Sequence, residues 1–366
     1  MVDRGRTPLH RRKSIQIAVG LLVTVGCLAA AFYKMADGDD PREVFRAIGD
    51  AFRQADIGST LWLIWIVLFV FYWLKAWRWR MLLAPLGSFR PTTELLPAIL
   101  IGFAFNNLLP ARIGEFVRVF VFSRRHNLSK ISVLASVALE RILDAIAILS
   151  IFGIGAMFLP NTAEDVKQKA MVAAAVAGIG VGCAVVYLIW TAPFVRFAEW
   201  CMNCVPVLPE RFRAKITGML ESGAEGLAAL KQGRLLAGIL ITSFAQWALN
   251  GVIVYLSLRA FHFDLPWHVS AVVLGVVAFG VAAPSSPGYF GVIQLCFVLV
   301  LAPFVDDQKS VFAASIYFHM AQYIPVTAIG MICFNRMGFH VAEVQEEAEH
   351  EATDEPAAHA GSVPAE

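Results

Sequence analysis

A chain of 366 residues that is 58% hydrophobic and only 16% charged, with a mean hydropathy of +0.65, carries too much apolar surface for a soluble core of that length. Several runs approach 20 apolar residues, so a polytopic membrane protein is expected and a nucleic-acid-binding one is not. The formal charge of +2 hides a division: Glu343, Glu346, Glu347, Glu349, Glu351, Asp354, Glu355 and Glu366 follow the last cation, Arg336. The membrane portion therefore keeps 30 cations against 20 acids, a charge of +10.

Residues 1–13 form a basic N-terminus with Arg4, Arg6, Arg11, Arg12 and Lys13, followed by the apolar run Ile15 to Phe32. That run exceeds a signal-peptide core, so an uncleaved first span with a cytoplasmic N-terminus is expected. The acidic stretch 34–59 reads as a translocated loop. Within it Asp40-Pro41 opens a helix with Val44, Phe45, Ile48 and Phe52 on one face, lying at the membrane interface. The span Leu61 to Trp77 ends in Lys75, Arg78, Arg80 and Arg90, with Trp73, Trp77 and Trp79 as a cytoplasmic aromatic belt.

Two apolar arms, Leu95 to Phe105 and Phe116 to Phe122, are each too short to cross about 30 Å of hydrocarbon. Between them stands Asn106-Asn107-Leu108-Leu109-Pro110-Ala111-Arg112-Ile113-Gly114-Glu115, and the pattern predicts a re-entrant hairpin with its break at membrane depth. The next span, Ser129 to Leu159, carries Glu140, Arg141 and Asp144 near its middle, with Glu140 and Asp144 on one helix face. A span from about Ala170 to Trp190 follows, then a basic loop 192–233 holding an amphipathic stretch opened by Leu208-Pro209. The span Leu235 to Leu258 comes next. A second pair of short arms, Val269 to Val281 and Val292 to Ala302, flanks Ala283-Pro284-Ser285-Ser286-Pro287-Gly288-Tyr289-Phe290-Gly291. The last span is Val311 to Phe334. Residues 343–366 read as a disordered acidic cytoplasmic tail. Of six cysteines, four lie in apolar spans, and Cys201-Met-Asn-Cys204 lacks a second pair for metal binding.

The order of elements in 14–159 recurs in 170–336, and an odd number of full crossings in each half gives the halves opposite orientations. The expected fold is an all-α polytopic protein: an inverted-topology repeat of about six full spans and two re-entrant hairpins, with both termini cytoplasmic. Broken segments of such repeats meet at the transport site. The candidate substrate-binding residues are accordingly Asn106, Asn107, Arg112, Glu115, Arg118, Glu140, Arg141, Asp144, Ser286, Tyr289, Gln294 and His319, with Ser285, Gln322 and Tyr323 beside them. Arginine forks suit a lipid phosphate, and Arg112, Arg118 and Arg141 balance Glu115, Glu140 and Asp144 in formal charge. Other readings stay open: Pro and Gly kinking ordinary spans, Arg112 and Arg118 snorkelling to the interface, and Glu140 to Asp144 as a static packing network.

The residues Asn106-Asn107-Leu108-Leu109-Pro110-x-Arg112-x-Gly114-Glu115-x-x-Arg118, Glu140-Arg141-x-x-Asp144 and Pro287-Gly288-x-x-Gly291 resemble the flippase-like membrane domain of lysylphosphatidylglycerol synthases. The resemblance covers about 14–336. It implies a stand-alone membrane domain of the bacterial plasma membrane that moves a phospholipid or lipid-linked headgroup between leaflets, with no cofactor. Lysyl transfer belongs to a separate soluble domain of that family and is not expected here. The second motif departs from Pro-Gly-Gly-x-Gly-x-x-Glu, with Tyr289 for Gly and Gln294 for Glu. The absence of HExxH, G-x-S-x-G and P-loop patterns argues against an enzyme. An integral-membrane enzyme of phospholipid or polyprenyl-phosphate metabolism and a scaffold using the acidic tail are the alternatives, and homo-oligomerisation is left open.

Overall fold

The computed structural model describes residues 9–36, 39–109, 112–159, 233–282 and 287–338, with a few isolated positions between 168 and 179. Within these residues the regular elements are helices: α1 (Leu9–Ala36), α2 (Pro41–Gln54), α3 (Ile57–Leu82), α4 (Leu96–Leu108), α5 (Gly114–His126), α6 (Lys130–Met157), α7 (Gly233–Ala260), α8 (Trp267–Ala282), α9 (Val292–Leu301) and α10 (Gln308–Arg336). By length and composition α3, α7 and α10 are each able to cross a membrane. With 28 residues α6 has the length as well, and its mid-helix charges are what set it apart. The expected span 170–190, the second amphipathic stretch, Cys201 with Cys204, and the tail 343–366 lie outside the described residues.

Local chemistry sets the boundaries. Asp40 caps α2 by accepting from the Arg42 amide at 2.8 Å, Pro41 occupies the first turn, and Val44 and Ile48 are buried. Phe45, expected on that face, is instead 67% exposed. Leu109 is extended at φ −113°, ψ 147°, the conformation a following proline imposes, and it ends α4. Arg112 turns the chain with φ 55°, and α5 closes on a left-handed Asn127. The second break is built from left-handed Gly288, Tyr289 and Gly291.

The short arms pair as expected, α4 with α5 and α8 with α9. α3 packs along α7. The arms then cross over: α4 lies on α10 while α8 lies on α6. Small residues permit these close approaches. A Cβ on Gly114 would sit 1.9 Å from the Gly102 carbonyl oxygen, and one on Gly330 would sit 2.3 Å from that of Leu100.

One end of the bundle gathers α2, the start of α3, the end of α7 and the start of α10. There the Asp56 amide donates to Ala260 O at 2.8 Å, the His262 ring bonds Gln54 O at 3.0 Å, and Lys309 pairs with Asp39. The α8–α9 pair opens toward this end, since the Phe158 ring at the end of α6 lies 6.1 Å from that of Trp267 at the start of α8. The α4–α5 pair enters from the other end, and the two breaks meet where Arg112 Nη2 donates to Val281 O at 2.7 Å.

Candidate functional site

Glu140 and Asp144 project from one face of α6, and both are buried. A bare carboxylate is far too costly to desolvate, so the fold must bring cations to them. Glu140 has four within 3.5 Å: Lys75 Nζ at 2.8 Å, Arg118 Nη2 at 2.9 Å, Arg141 Nη2 at 2.9 Å and Arg78 Nη2 at 3.5 Å. Asp144 takes Arg78 Nη1 at 2.7 Å, Lys75 Nζ at 3.4 Å and Arg141 Nη2 at 3.6 Å. It also accepts from Trp247 Nε1 at 2.8 Å. The Arg118 guanidinium stacks 3.6 Å over the Trp79 ring, whose Nε1 donates to Ser136 Oγ at 3.0 Å. Arg78 also donates to Ser243 Oγ at 3.0 Å.

Lys75, Arg78 and Trp79 therefore do not form the outward-facing belt that their position near the end of an apolar run predicted, but point into the bundle. They are 1%, 0% and 0% exposed. The two carboxylates supply the reason, because α3 turns Lys75 and Arg78 inward to them. Trp73 keeps to the outer face of α3, at 37% exposed, and lies 5.7 Å from the Trp77 ring.

The charge balance also differs from expectation. Four cations (Lys75, Arg78, Arg118, Arg141) face the two buried carboxylates, with the partly exposed Glu115 at 3.7 Å from Arg141 Nε. The set is net positive. Arg118, held bidentate on Glu140, and Arg78, closest to Asp144, neutralise the two carboxylates. Lys75 and Arg141, which also touch Glu140 at 2.8 and 2.9 Å, make up the excess, part of it offset by Glu115 beside Arg141. These two, with Asp144, border a cavity of about 200 Å³.

The cavity wall is completed by residues far away in sequence, among them Asn107 on α4, Asn250 on α7, Tyr289 at the second break, and His319, Gln322 and Tyr323 on α10. Of the sequence-derived candidates, the cavity thus collects Asn107, Arg141, Asp144, Tyr289 and His319, backed by Glu140 and Arg118. Others fall elsewhere. Arg112 donates to the Val281 carbonyl and also hydrogen-bonds Tyr289 of the cavity wall, and so joins the two breaks. Asn106 is buried beside Gly114, and its Oδ1 has no hydrogen-bond partner among the described residues. Gln294 accepts from the Gly291 amide at 2.7 Å and caps α9, with its Nε2 3.4 Å from His319 Nδ1. Ser285 and Ser286 lie outside the described residues.

Sequence reasoning missed Lys75, Arg78 and Trp247. The available signal was spacing: Phe71, Lys75, Arg78 and Leu82 share one face of α3, opposite Trp73, Trp77 and Arg80.

An all-helical bundle with paired short arms and a buried ion cluster defines a class of polytopic membrane protein. The chain matches the family described as the lysylphosphatidylglycerol synthase TM region over residues 17–330, and it belongs to that family. It is similar to a protein of Haloferax volcanii named glycosyltransferase AglD, at 27% identity over 87% of this chain. Only 54% of that relative is covered, so the chain spans about half its length. It is also similar to a UPF0104 membrane protein of Methanothermobacter thermautotrophicus, at 25% identity over 88% of this chain and 96% of the relative. A UPF0104 membrane protein of Methanocaldococcus jannaschii is 23% identical over 63% of this chain and 92% of its own.

Proposed function

We propose that the protein moves a phosphate-bearing lipid, or a lipid-linked headgroup, between the leaflets of a plasma membrane, with no reaction catalysed. One observation carries this reading: Lys75 and Arg141 border a cavity walled by both parts of the chain, where the cations outnumber the buried carboxylates they touch. A phosphate entering the cavity competes with Asp144 for these two cations. Asp144 stays satisfied by Arg78 and Trp247, and Glu140 by Arg118 and Arg78, so binding and release leave no bare buried charge.

The reciprocal packing supports an inverted repeat. Exchanging α3 with α7, α4 with α8 and α6 with α10 maps α4 on α10 to α8 on α6, and leaves α3 on α7 unchanged. Repeats of 14–159 and 170–336, with about six full spans, both termini in the cytoplasm and hairpins entering from opposite sides, account for this. Such a fold lets the two halves rock about the cavity.

The test is leaflet exchange in liposomes holding the purified chain, with phosphatidylglycerol or a polyprenyl-phosphoryl sugar as the lipid. Exchange is expected for wild type, reduced at least tenfold by Lys75→Met and by Arg141→Gln, with Arg259→Gln as an unaffected surface control. Unaltered exchange in both cavity variants overturns the reading. One observation favours a second reading, an integral-membrane enzyme: the name of the Haloferax relative. That reading predicts a new lipid product in membrane extracts, with no change in leaflet distribution.

A further inference from the structure

We infer that the cavity selects an uncharged polyhydroxyl headgroup carried on the phosphate, a glycerol or a single sugar, and rejects headgroups bearing an ammonium. This rests on the translocation reading for the place of the phosphate at Lys75 and Arg141. The inference itself comes from the rest of the wall.

That wall presents neutral hydrogen-bonding groups. Asn107 uses its Nδ2 on Thr327 Oγ1 at 2.9 Å, which leaves its Oδ1 as an acceptor. Gln322 uses its Nε2 on Phe318 O at 3.2 Å, which leaves its Oε1. The Asn250 side chain and the Tyr72 hydroxyl make no hydrogen bond among the described residues, so an amide and a phenol that both donate and accept are available. Hydroxyl groups also donate and accept, and a polyol satisfies all four residues at once. A bare phosphate can accept from Asn250 and Tyr72 but leaves the Asn107 and Gln322 oxygens unpaired, at the cost that any desolvated polar group carries. Trp247 and Phe103 add aromatic faces against which the C–H edges of such a headgroup pack.

An ammonium finds acceptors in the Asn107 and Gln322 oxygens but no free carboxylate to balance its charge. Among the described residues Asp144 is the one carboxylate at the wall, and it is already engaged by Arg78 and Trp247 with Lys75 and Arg141 alongside. A headgroup cation reaching Asp144 would lie within a few ångströms of those like charges in a medium of low dielectric. Size narrows the class further, since about 200 Å³ admits one small unit rather than a chain of sugars.

The experiment uses the full chain in vesicles doped separately with phosphatidylglycerol, a polyprenyl-phosphoryl hexose and phosphatidylethanolamine. Periodate titrates the outer-leaflet diols, and an impermeant amine reagent titrates the ethanolamine. Both diol lipids, or one of them, should equilibrate at least tenfold faster than the amine lipid, and comparing the two separates a glycerol from a sugar source. Asn250→Leu combined with Gln322→Leu should cut that ratio roughly tenfold, because each hydroxyl bond removed is a several-fold effect. Phosphatidylethanolamine moving as fast as the diol lipids overturns the selectivity and leaves translocation standing. If no lipid moves, translocation fails, and selectivity is read by calorimetry with short-chain phosphatidylglycerol and phosphatidylethanolamine in detergent. A preference for the glycerol headgroup there upholds the inference, and equal binding overturns it.

Discussion

Glu140→Gln is the sharpest perturbation of the buried cluster, because it preserves side-chain volume and removes one charge. Arg118 has Glu140 as its carboxylate partner, at 2.9 and 3.3 Å, and is 3% exposed. In the variant its guanidinium keeps the face of Trp79 and one amide oxygen but loses its carboxylate. Lys75, Arg78 and Arg141 then converge on Asp144 alone, with Glu115 at the margin. Removing one partner of a buried ion pair costs about 3–5 kcal/mol, against about 1 kcal/mol for an ordinary hydrogen bond. A loss of that size lowers a melting temperature by about 4–7 °C at this chain length. Thermal unfolding in detergent, followed by circular dichroism, reads it. Arg118→Met supplies the internal check. Alone it leaves Glu140 three other cations and should cost less, whereas in the Glu140→Gln background it should restore stability by removing the stranded charge. A Glu140→Gln protein that melts within 1 °C of wild type would refute the reasoning, as would an Arg118→Met effect equal in both backgrounds.

Gly114→Ala should prevent folding of the first hairpin, since the new methyl would lie 1.9 Å from a backbone carbonyl that cannot retreat; monodisperse yield from detergent extracts measures this. Gly26→Ala, where a Cβ meets nothing within 4 Å, is the matched control. Trp247→Phe removes the 2.8 Å bond to Asp144 and should lower unfolding free energy by about 1–3 kcal/mol, since a charged acceptor loses a donor, as denaturant titration would register. Arg112→Ala removes the bonds from the first break to Val281 O and to Tyr289. It should cost about 2 kcal/mol in the same titration while increasing hydrogen exchange at both breaks; protection unchanged at residues 280–282 would contradict the junction.

Much of this architecture was written in local chemistry. The Asp40-Pro41 start of α2, the extended residue before Pro110, and the glycines of the second break act within a few residues of chain, so the short arms were legible before any packing was known. The α6 carboxylates were legible too, because charge in the middle of an apolar run demands a partner. The partners' identity was not. Trp and basic residues at the end of an apolar run satisfy the pattern of an interfacial belt equally well, and only the packing of α3 against α6 and α7 turns Lys75 and Arg78 inward. Charge counting does not reveal them either, because Arg112, Arg118 and Arg141 sum to neutrality with Glu115, Glu140 and Asp144. Arg112 had the right chemistry but joins the two breaks, at a left-handed φ that its sequence neighbours do not announce. Gln294 sits where a capping side chain is needed, and its polarity serves the helix start rather than the cavity.

The most direct test of the central claim is a photoactivatable residue placed at Asn250, inside the cavity, with Trp62, 66% exposed on the outside of α3, as the comparison. Irradiation in native membranes, followed by mass spectrometry of the adducts, reports what each position touches. The account predicts phosphate-bearing lipid adducts at position 250 that disappear in the Lys75→Met background, while adducts at position 62 persist in both. Lipid captured at position 62 and none at position 250 would contradict a headgroup site between the two halves of the chain.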